Sequence, residues 1–159
     1  PQSGTYVAKI NMQKVDAARF VRKSIEPIVM ADACKIITPI QLVDLERNVK
    51  IQRIYIESGD QKEFFKLDDE FHAAIYSIAD KPDVWAWIQQ IGINLNRFRM
   101  LSMQGREYNW PAVLGHHEQM LKLLEAHDSK GLKAVVNEHL NHINDFSDGV
   151  RDSYPEYVE

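Results

Sequence analysis

The sequence predicts an all-α protein, an antiparallel bundle of six to seven helices. Along most of the chain, apolar residues recur every three or four positions, which is the spacing of one face of a helix. Residues that begin or end helices separate these stretches at short intervals, while Gly and Pro are few. With 159 residues, of which 45% are hydrophobic, the chain can bury most of the apolar surface of one domain.

The first three helices are predicted from residue 11 to residue 79. The first covers residues 11–33, and Pro27 is expected to kink or interrupt it. The second opens at residues 38–41, where Thr38 and Gln41 form a capping box around a Pro at the first helical position. It ends at Gly59, and the third helix then covers residues 62–79.

Three further helices are predicted in the second half of the chain. The fourth covers residues 83–102 and is rich in aromatic residues, and the polar stretch 104–109 is expected to be a turn. The fifth covers residues 111–127, and Asp128 caps a sixth that runs from 129 to about 151. Residues 1–10 differ, because a turn and β-forming residues replace the helical pattern. They look like the end of another structural element.

Composition and charge exclude several classes of protein. The formal net charge is −4, so no DNA-binding surface is expected on this chain. A single cysteine, Cys34, excludes an internal disulfide framework and suits a reducing compartment. The sequence has neither an apolar run of membrane-spanning length nor a signal-peptide pattern. We therefore expect a soluble, cytoplasmic protein with no membrane partner.

Four polar residues lie on the apolar faces of three predicted helices. Asp68 and His72 share the apolar stripe of the third helix, and at positions i and i+4 their side chains point the same way. His117 replaces an apolar residue on the fifth helix, and His139 does so on the sixth. An unpaired buried carboxylate is costly, so Asp68 requires a partner or the wall of a cavity.

Two interpretations of these four residues remain open from their pattern. Three imidazoles and one carboxylate in a bundle core would suit a divalent transition metal such as Zn, Ni, Mn or Fe. Alternatively, each is a structural residue that forms hydrogen bonds within the core. The other histidines, His116, His127 and His142, lie off the apolar stripes or near helix ends and are predicted to be exposed.

The same residues carry a resemblance to a known family. Residues 67–72, Leu-Asp-Asp-Glu-Phe-His, resemble the D-x-x-F-H signature of the FCD domain, the C-terminal effector-binding domain of GntR-type transcription regulators. Residues 117–121 and 138–140 resemble the second half of that signature, in which a His opens one helix and a His-Leu pair comes late in the next. Residues 22–26 are similar to the R-x-x-L-E of the family's first helix.

The resemblance implies a ligand-sensing domain built around a metal. It implies that Asp68, His72, His117 and His139 hold the divalent metal, which helps to bind a small carboxylate effector such as an organic or sugar acid. Arg22 would meet the effector's carboxylate, with help from Arg97 or Arg99 on the fourth predicted helix.

The resemblance also implies a domain organisation and partners. Residues 1–10 would be the remnant of the wing and linker of a missing winged-helix domain, and residues 11–159 the effector-binding and dimerisation domain. Effector binding would then change how a homodimer sits on operator DNA, which the missing domain contacts.

Two other kinds of protein fit an inward cluster of this composition. One is a metal-dependent enzyme of the hydrolase or oxygenase type, in which an open coordination position activates water or oxygen. The sequence offers no clearly placed second carboxylate as general base and no nucleophile paired with a base, so an enzyme is not the expected class. The other is a helical dimerisation module without a metal.

Overall fold

The structure is a computed structural model that describes residues 7–104, 109–142, 150 and 152–159. Within these ranges the chain forms seven α-helices and no β-strand, which confirms the predicted all-α bundle. The helices are α1 (Met12–Ile36), α2 (Pro39–Ser58), α3 (Gln61–Ile78), α4 (Pro82–Ile91), α5 (Ile93–Met103), α6 (Trp110–Glu125) and α7 (Ser129–His142). The predicted continuation of the last helix to about residue 151, most of the predicted turn at 104–109 and residues 1–6 lie outside the described residues.

The ends of the helices follow from local sequence. Thr38 accepts a hydrogen bond from the backbone N–H of Gln41, whose side chain in turn binds the backbone N–H of Thr38, so the predicted capping box forms. Gly59 ends α2 in the left-handed conformation, with φ of 72°, which glycine adopts without steric cost. Asp60 and Asn109 cap the starts of α3 and α6 with their side chains.

Two details differ from the predicted helices. Pro27 neither ends nor divides α1, which continues for nine further residues to Ile36 with the proline ring buried. The predicted fourth helix is in fact two, α4 and α5, which meet at Gly92. A Cβ at Gly92 would lie 2.7 Å from the carbonyl oxygen of Ile88, so the junction requires glycine.

The main core lies between two helical hairpins and α1. The hairpins are α2–α3, joined by two residues, and α6–α7, joined by three, and each is therefore antiparallel. α1 packs most extensively against α7, and α2 also packs against α6. The largest fully buried side chains of this core include Tyr76, Phe71, Met30, Leu45 and Leu124. Burying each such side chain contributes about 1.5–3 kcal/mol, and together they hold α1, α2, α3 and α6 against one another.

The two termini of the described chain are joined beside α5. Ile10 forms a parallel bridge with Val158: its N–H donates to the carbonyl of Tyr157 at 2.7 Å, and its carbonyl accepts from the N–H of Glu159 at 3.0 Å. The N–H of Met12 donates to the carbonyl of Glu159 at 3.1 Å. We call residues 8–12 and 154–159 the terminal clasp. Among the residues that the structure describes, no helix combines the length and the apolar character needed to cross a membrane.

Candidate metal centre

Four buried side chains from three helices converge in the core. Asp68 and His72 come from α3, His117 from α6 and His139 from α7, and one ligand atom of each lies within 4.8 Å of the ligand atoms of the other three. Asp68 and His72 are one helical turn apart, so both project from the same buried face of α3. The amphipathic periodicity that buries Phe64, Phe71 and Ile75 thus also carries these two polar groups inward.

The imidazole nitrogens face one another and the carboxylate. Nε2 of His72 lies 3.3 Å from Nε2 of His139, and Nε2 of His117 lies 3.4 Å from Oδ1 of Asp68. Within the described part of the chain, Nε2 of His117 is buried and has no hydrogen-bond partner. Buried polar atoms are nearly always paired. An unpaired nitrogen beside a carboxylate and two further imidazoles is the arrangement that a cation completes, so the residues present fit a transition metal.

The protonation states of the cluster also suit a metal. Burial lowers the pKa of His117 to about 3 and holds the pKa of His139 well below its usual value. Burial alone would raise the pKa of Asp68, but Arg99, His72 and His117 outweigh it and hold the pKa below its usual range. The centre therefore combines an ionised carboxylate with neutral imidazoles at His117 and His139, and metal ligands must be deprotonated in this way.

Arg22 reaches the cluster through Glu26. Its Nε and Nη2 donate to the two carboxylate oxygens of Glu26 at 2.8 Å and 3.1 Å, a bidentate pair within one turn of α1. Oε1 of Glu26 also contacts Nδ1 of His72. Burial would raise the pKa of Glu26, but Arg22 and His72 hold it well below its usual range. The guanidinium of Arg22 also lies over the ring of Trp85, 5.7 Å from the ring centroid.

Arg99 and Arg97, both on α5, lie in different places. Arg99 is 3% exposed and binds Asp68 through Nη2 and Asp69 through Nη1, the latter at 3.1 Å. Its guanidinium also lies over the ring of Phe65. Arg97 instead donates to the backbone carbonyls of Ala8 and Lys9 in the terminal clasp. Of the three predicted effector arginines, the structure thus brings Arg22 and Arg99 to the cluster and places Arg97 on the clasp.

The three remaining histidines lie outside the group of four. His127 is exposed as predicted, although its Nδ1 contacts the carbonyl of Cys34 at 2.5 Å. His116 and His142 were predicted to be exposed and are partly buried, because both lie at a cleft between α6 and α7. Nε2 of His116 is 3.8 Å from Oε1 of Glu138. The ring of His116 also lies edge-on to that of His139, with 5.8 Å between the ring centroids, but only His117 of the adjacent pair belongs to the group of four.

Two polar neighbours of the cluster, Gln52 and Glu26, were not among the predicted site residues. Gln52 is fully buried on α2, and its Oε1 lies 2.8 Å from Nδ1 of His117. A signal was present, because Gln52 continues the buried stripe of Leu45 and Val49 at helical spacing. A polar residue on an apolar stripe is the same anomaly that singled out Asp68.

Comparisons with known proteins bear on the family and fold of this chain. The model of the FCD domain family matches residues 18–142. The chain is 34% identical over 146 residues to the HTH-type transcriptional repressor RspR of Escherichia coli (strain K12), a match that covers 91% of this chain and 63% of that protein. It is 24% identical over 157 residues to an HTH-type transcriptional regulator in an unstable DNA locus of Streptomyces ambofaciens, covering 98% of this chain and 65% of that one.

The chain therefore spans less than two thirds of the length of these curated relatives. All of them are named as regulators of transcription, and none of the names describes an enzyme. Among solved structures, E. coli McbR/YncC superimposes with a TM-score of 0.76 at 20% sequence identity, over 97% of this chain and 76% of that chain. This likeness shows that the two share a fold.

Proposed function

Because this chain belongs to the FCD domain family, we propose that it is the ligand-sensing domain of a GntR-type transcription regulator. The domain binds a divalent metal in its core and a small carboxylate effector beside the metal. The regulator names of its relatives support this role. The observation that carries the proposal is the convergence of three buried imidazoles and one carboxylate, with Nε2 of His117 unpaired within the described residues.

Asp68, His72, His117 and His139 are the residues that would hold the metal. Imidazole nitrogens with one carboxylate oxygen suit Zn, Ni, Mn or Fe better than Ca or Mg, which prefer oxygen ligands. When bound, the metal acts as a Lewis acid that attracts the oxygens of a small acid. The protein's part is to hold the imidazoles in place and to exclude bulk water, and all four side chains are at most 6% exposed.

The effector in this proposal is an organic or sugar acid that competes for the guanidinium groups beside the cluster. Arg22 is committed to Glu26, and Arg99 is committed to Asp68 and Asp69. A carboxylate that approaches the metal must share these donors or displace an existing acceptor. Such a ligand can shift the equilibrium between two arrangements of the protein only to the extent that its affinities for them differ. An effector carboxylate that replaces a protein carboxylate on Arg22 or Arg99 supplies such a difference and is therefore a physical basis for the signal.

A sensor fits the site better than an enzyme does. A hydrolase with a carboxylate as general base requires that this carboxylate be free to take a proton from water. Among the described residues, the carboxylates nearest the cluster already have cationic partners: Glu26 pairs with Arg22, and Asp68 and Asp69 pair with Arg99.

The proposed partners follow from charge and from the length of the relatives. With a net charge of −4, this chain does not supply the DNA-binding surface, so operator DNA contacts a separate winged-helix domain. In this proposal, the regulator acts as a homodimer in the cytoplasm.

The proposal is tested by metal-dependent thermal stability. A metal at a free concentration of about 100 times its Kd stabilises the native state by about 2.7 kcal/mol, which for a domain of this size raises Tm by roughly 5–10 °C. We expect this rise for the wild type with Zn²⁺ or Ni²⁺ and its loss in Asp68→Asn and His117→Ala. His116→Ala, which changes the neighbouring histidine, is the matched control and retains the rise. A metal-stripped wild type whose Tm does not respond to any of Zn²⁺, Ni²⁺, Mn²⁺ and Fe²⁺ contradicts the metal site.

A further inference from the structure

The side chains of Asn48 and Gln52 link α2 to the cluster by a directed chain of hydrogen bonds. It begins at the backbone carbonyl of Leu67, which can only accept. Nδ2 of Asn48 donates to this carbonyl at 3.1 Å, and Nε2 of Gln52 approaches it at 3.5 Å. Nε2 of Gln52 also donates to Oδ1 of Asn48 at 2.7 Å.

This arrangement fixes the orientation of both amides. Rotating the Asn48 amide would place its oxygen against the carbonyl oxygen of Leu67, and rotating that of Gln52 would place its oxygen against Oδ1 of Asn48. Either rotation faces one acceptor with another, which leaves both unsatisfied. Oε1 of Gln52 must therefore be the atom that faces His117.

The orientation of Gln52 in turn decides the tautomer of His117. Oε1 of Gln52 lies 2.8 Å from Nδ1 of His117, so Nδ1 carries the ring proton and donates it. Nε2 is then a bare acceptor, 3.4 Å from the carboxylate oxygen Oδ1 of Asp68. Without Gln52, the opposite tautomer would be preferred, because Nε2–H could then donate to Asp68.

We propose that Gln52, oriented by Asn48, is a positioning residue that holds His117 in its metal-binding tautomer. In the metal-free cluster, Gln52 and Asn48 thereby hold two acceptors against each other, Nε2 of His117 and Oδ1 of Asp68. A cation bound between these acceptors relieves this unfavourable contact. The inference rests on the proposed metal site and adds residues on a helix that supplies none of its ligands.

The three imidazoles of the cluster differ in the group that their Nδ1 atoms contact. Nδ1 of His72 contacts the carboxylate of Glu26, and Nδ1 of His117 contacts the amide of Gln52. Nδ1 of His139 is buried and has no hydrogen-bond partner among the residues described. Gln52 gives the cleanest test, because removing a neutral amide leaves no buried charge unpaired, whereas removing Glu26 would strand Arg22.

The test compares Gln52→Met with Gln89→Met. Gln89 is a matched control, because its amide also forms two side-chain hydrogen bonds, to Asp69 and Asn96, and touches no imidazole of the cluster. Zn²⁺ affinity is measured by competition with a chromogenic chelator. Loss of a partner that orients a metal ligand weakens metal binding by about 10- to 100-fold, and we expect this loss for Gln52→Met. We expect Gln89→Met to remain within about twofold of the wild type.

A second readout needs no metal. Long-range ¹H–¹⁵N spectra of the metal-free protein report which nitrogen of His117 is protonated: Nδ1 in the wild type and Nε2 in Gln52→Met. If Gln52→Met does not fold, Asn48→Ala replaces it, because the amide of Gln52 then keeps only its 3.5 Å approach to the carbonyl of Leu67 and is held less firmly.

The outcomes separate the inference from the proposed function. A wild type that binds Zn²⁺, together with a Gln52→Met variant that binds it equally tightly, overturns the inference and leaves the metal site intact. A wild type that binds no metal overturns the proposed function, and the spectra still decide the tautomer. Protonation of Nε2 in the wild type overturns the inference in either case.

Discussion

Arg97 and Arg99 lie two residues apart on α5 and have opposite environments. Arg99 is 3% exposed and neutralises two carboxylates, one of them the proposed ligand Asp68. Arg97 is partly exposed and donates to two backbone carbonyls of the terminal clasp. A step of two residues turns a helix by about 200°, so one short helix serves two unrelated regions.

The contribution of an arginine side chain to the free energy of unfolding thus depends on the groups that it contacts. At the cluster, the guanidinium compensates a buried charge, and its removal would leave that charge without its main partner. At the clasp, it binds two backbone carbonyls of exposed residues, where water can replace part of what it supplies. The predictions below test whether this difference is as large as the geometry indicates.

The largest effect is expected for Arg99→Ala. Removing one partner of a buried ion pair costs about 3–5 kcal/mol, so the metal-free domain should lose most of its stability in chemical denaturation. Saturating Zn²⁺ should reduce this loss, because the cation supplies positive charge beside Asp68. A loss of under about 1 kcal/mol in the metal-free protein would contradict the assignment of Arg99 to a buried pair.

An intermediate effect is expected when the clasp is opened. Deleting residues 157–159 removes the three backbone hydrogen bonds that Ile10 and Met12 form with Tyr157 and Glu159. At about 1 kcal/mol each, plus the lost packing of Val158, the cost is roughly 2–4 kcal/mol. Zn²⁺ affinity at a temperature where the truncated domain is folded should not change. A large fall in affinity would mean that the clasp and the cluster are not separate regions.

The smallest effect is expected for Arg97→Ala. Its hydrogen bonds are partly exposed, so we expect a loss of about 1 kcal/mol or less in urea denaturation. Hydrogen exchange at Ile10 and Met12 should accelerate, while amides of α3 keep their protection. Equal stability losses for Arg97→Ala and Arg99→Ala would abolish the contrast between the two arginines.

The helices were predictable because their signals are local. Thr38 with Gln41, Gly59 and Asp128 mark helix ends by chemistry that acts within a few residues. The break at Gly92 was missed, because the apolar stripe continues from Ile88 to Leu95 and Phe98 across the junction. Only the close approach of the Ile88 carbonyl, a feature of three-dimensional structure, shows why a helix ends there.

The site was predictable in part, for a related reason. Asp68, His72, His117 and His139 stood out because each breaks an apolar stripe, and the structure brings all four together. Helical spacing distinguishes Arg99 from Arg97, because Arg99 follows the buried Leu95 by four positions and continues the buried stripe, whereas Arg97 does not. Glu26 stood out only as the last residue of the R-x-x-L-E match at residues 22–26, and its contact with His72 crosses from α1 to α3.

The shared helix has a mechanical consequence. α5 has 11 residues, which is about 16 Å at 1.5 Å per residue. One face is fixed to Asp68 and Asp69 by Arg99, and the opposite face is fixed to residues 8–11 by Arg97 and Asn94. Leu95 and Phe98 of α5 also pack in one buried cluster with Ile10 and Met12, so α5 cannot be displaced unless the core beside the clasp moves with it.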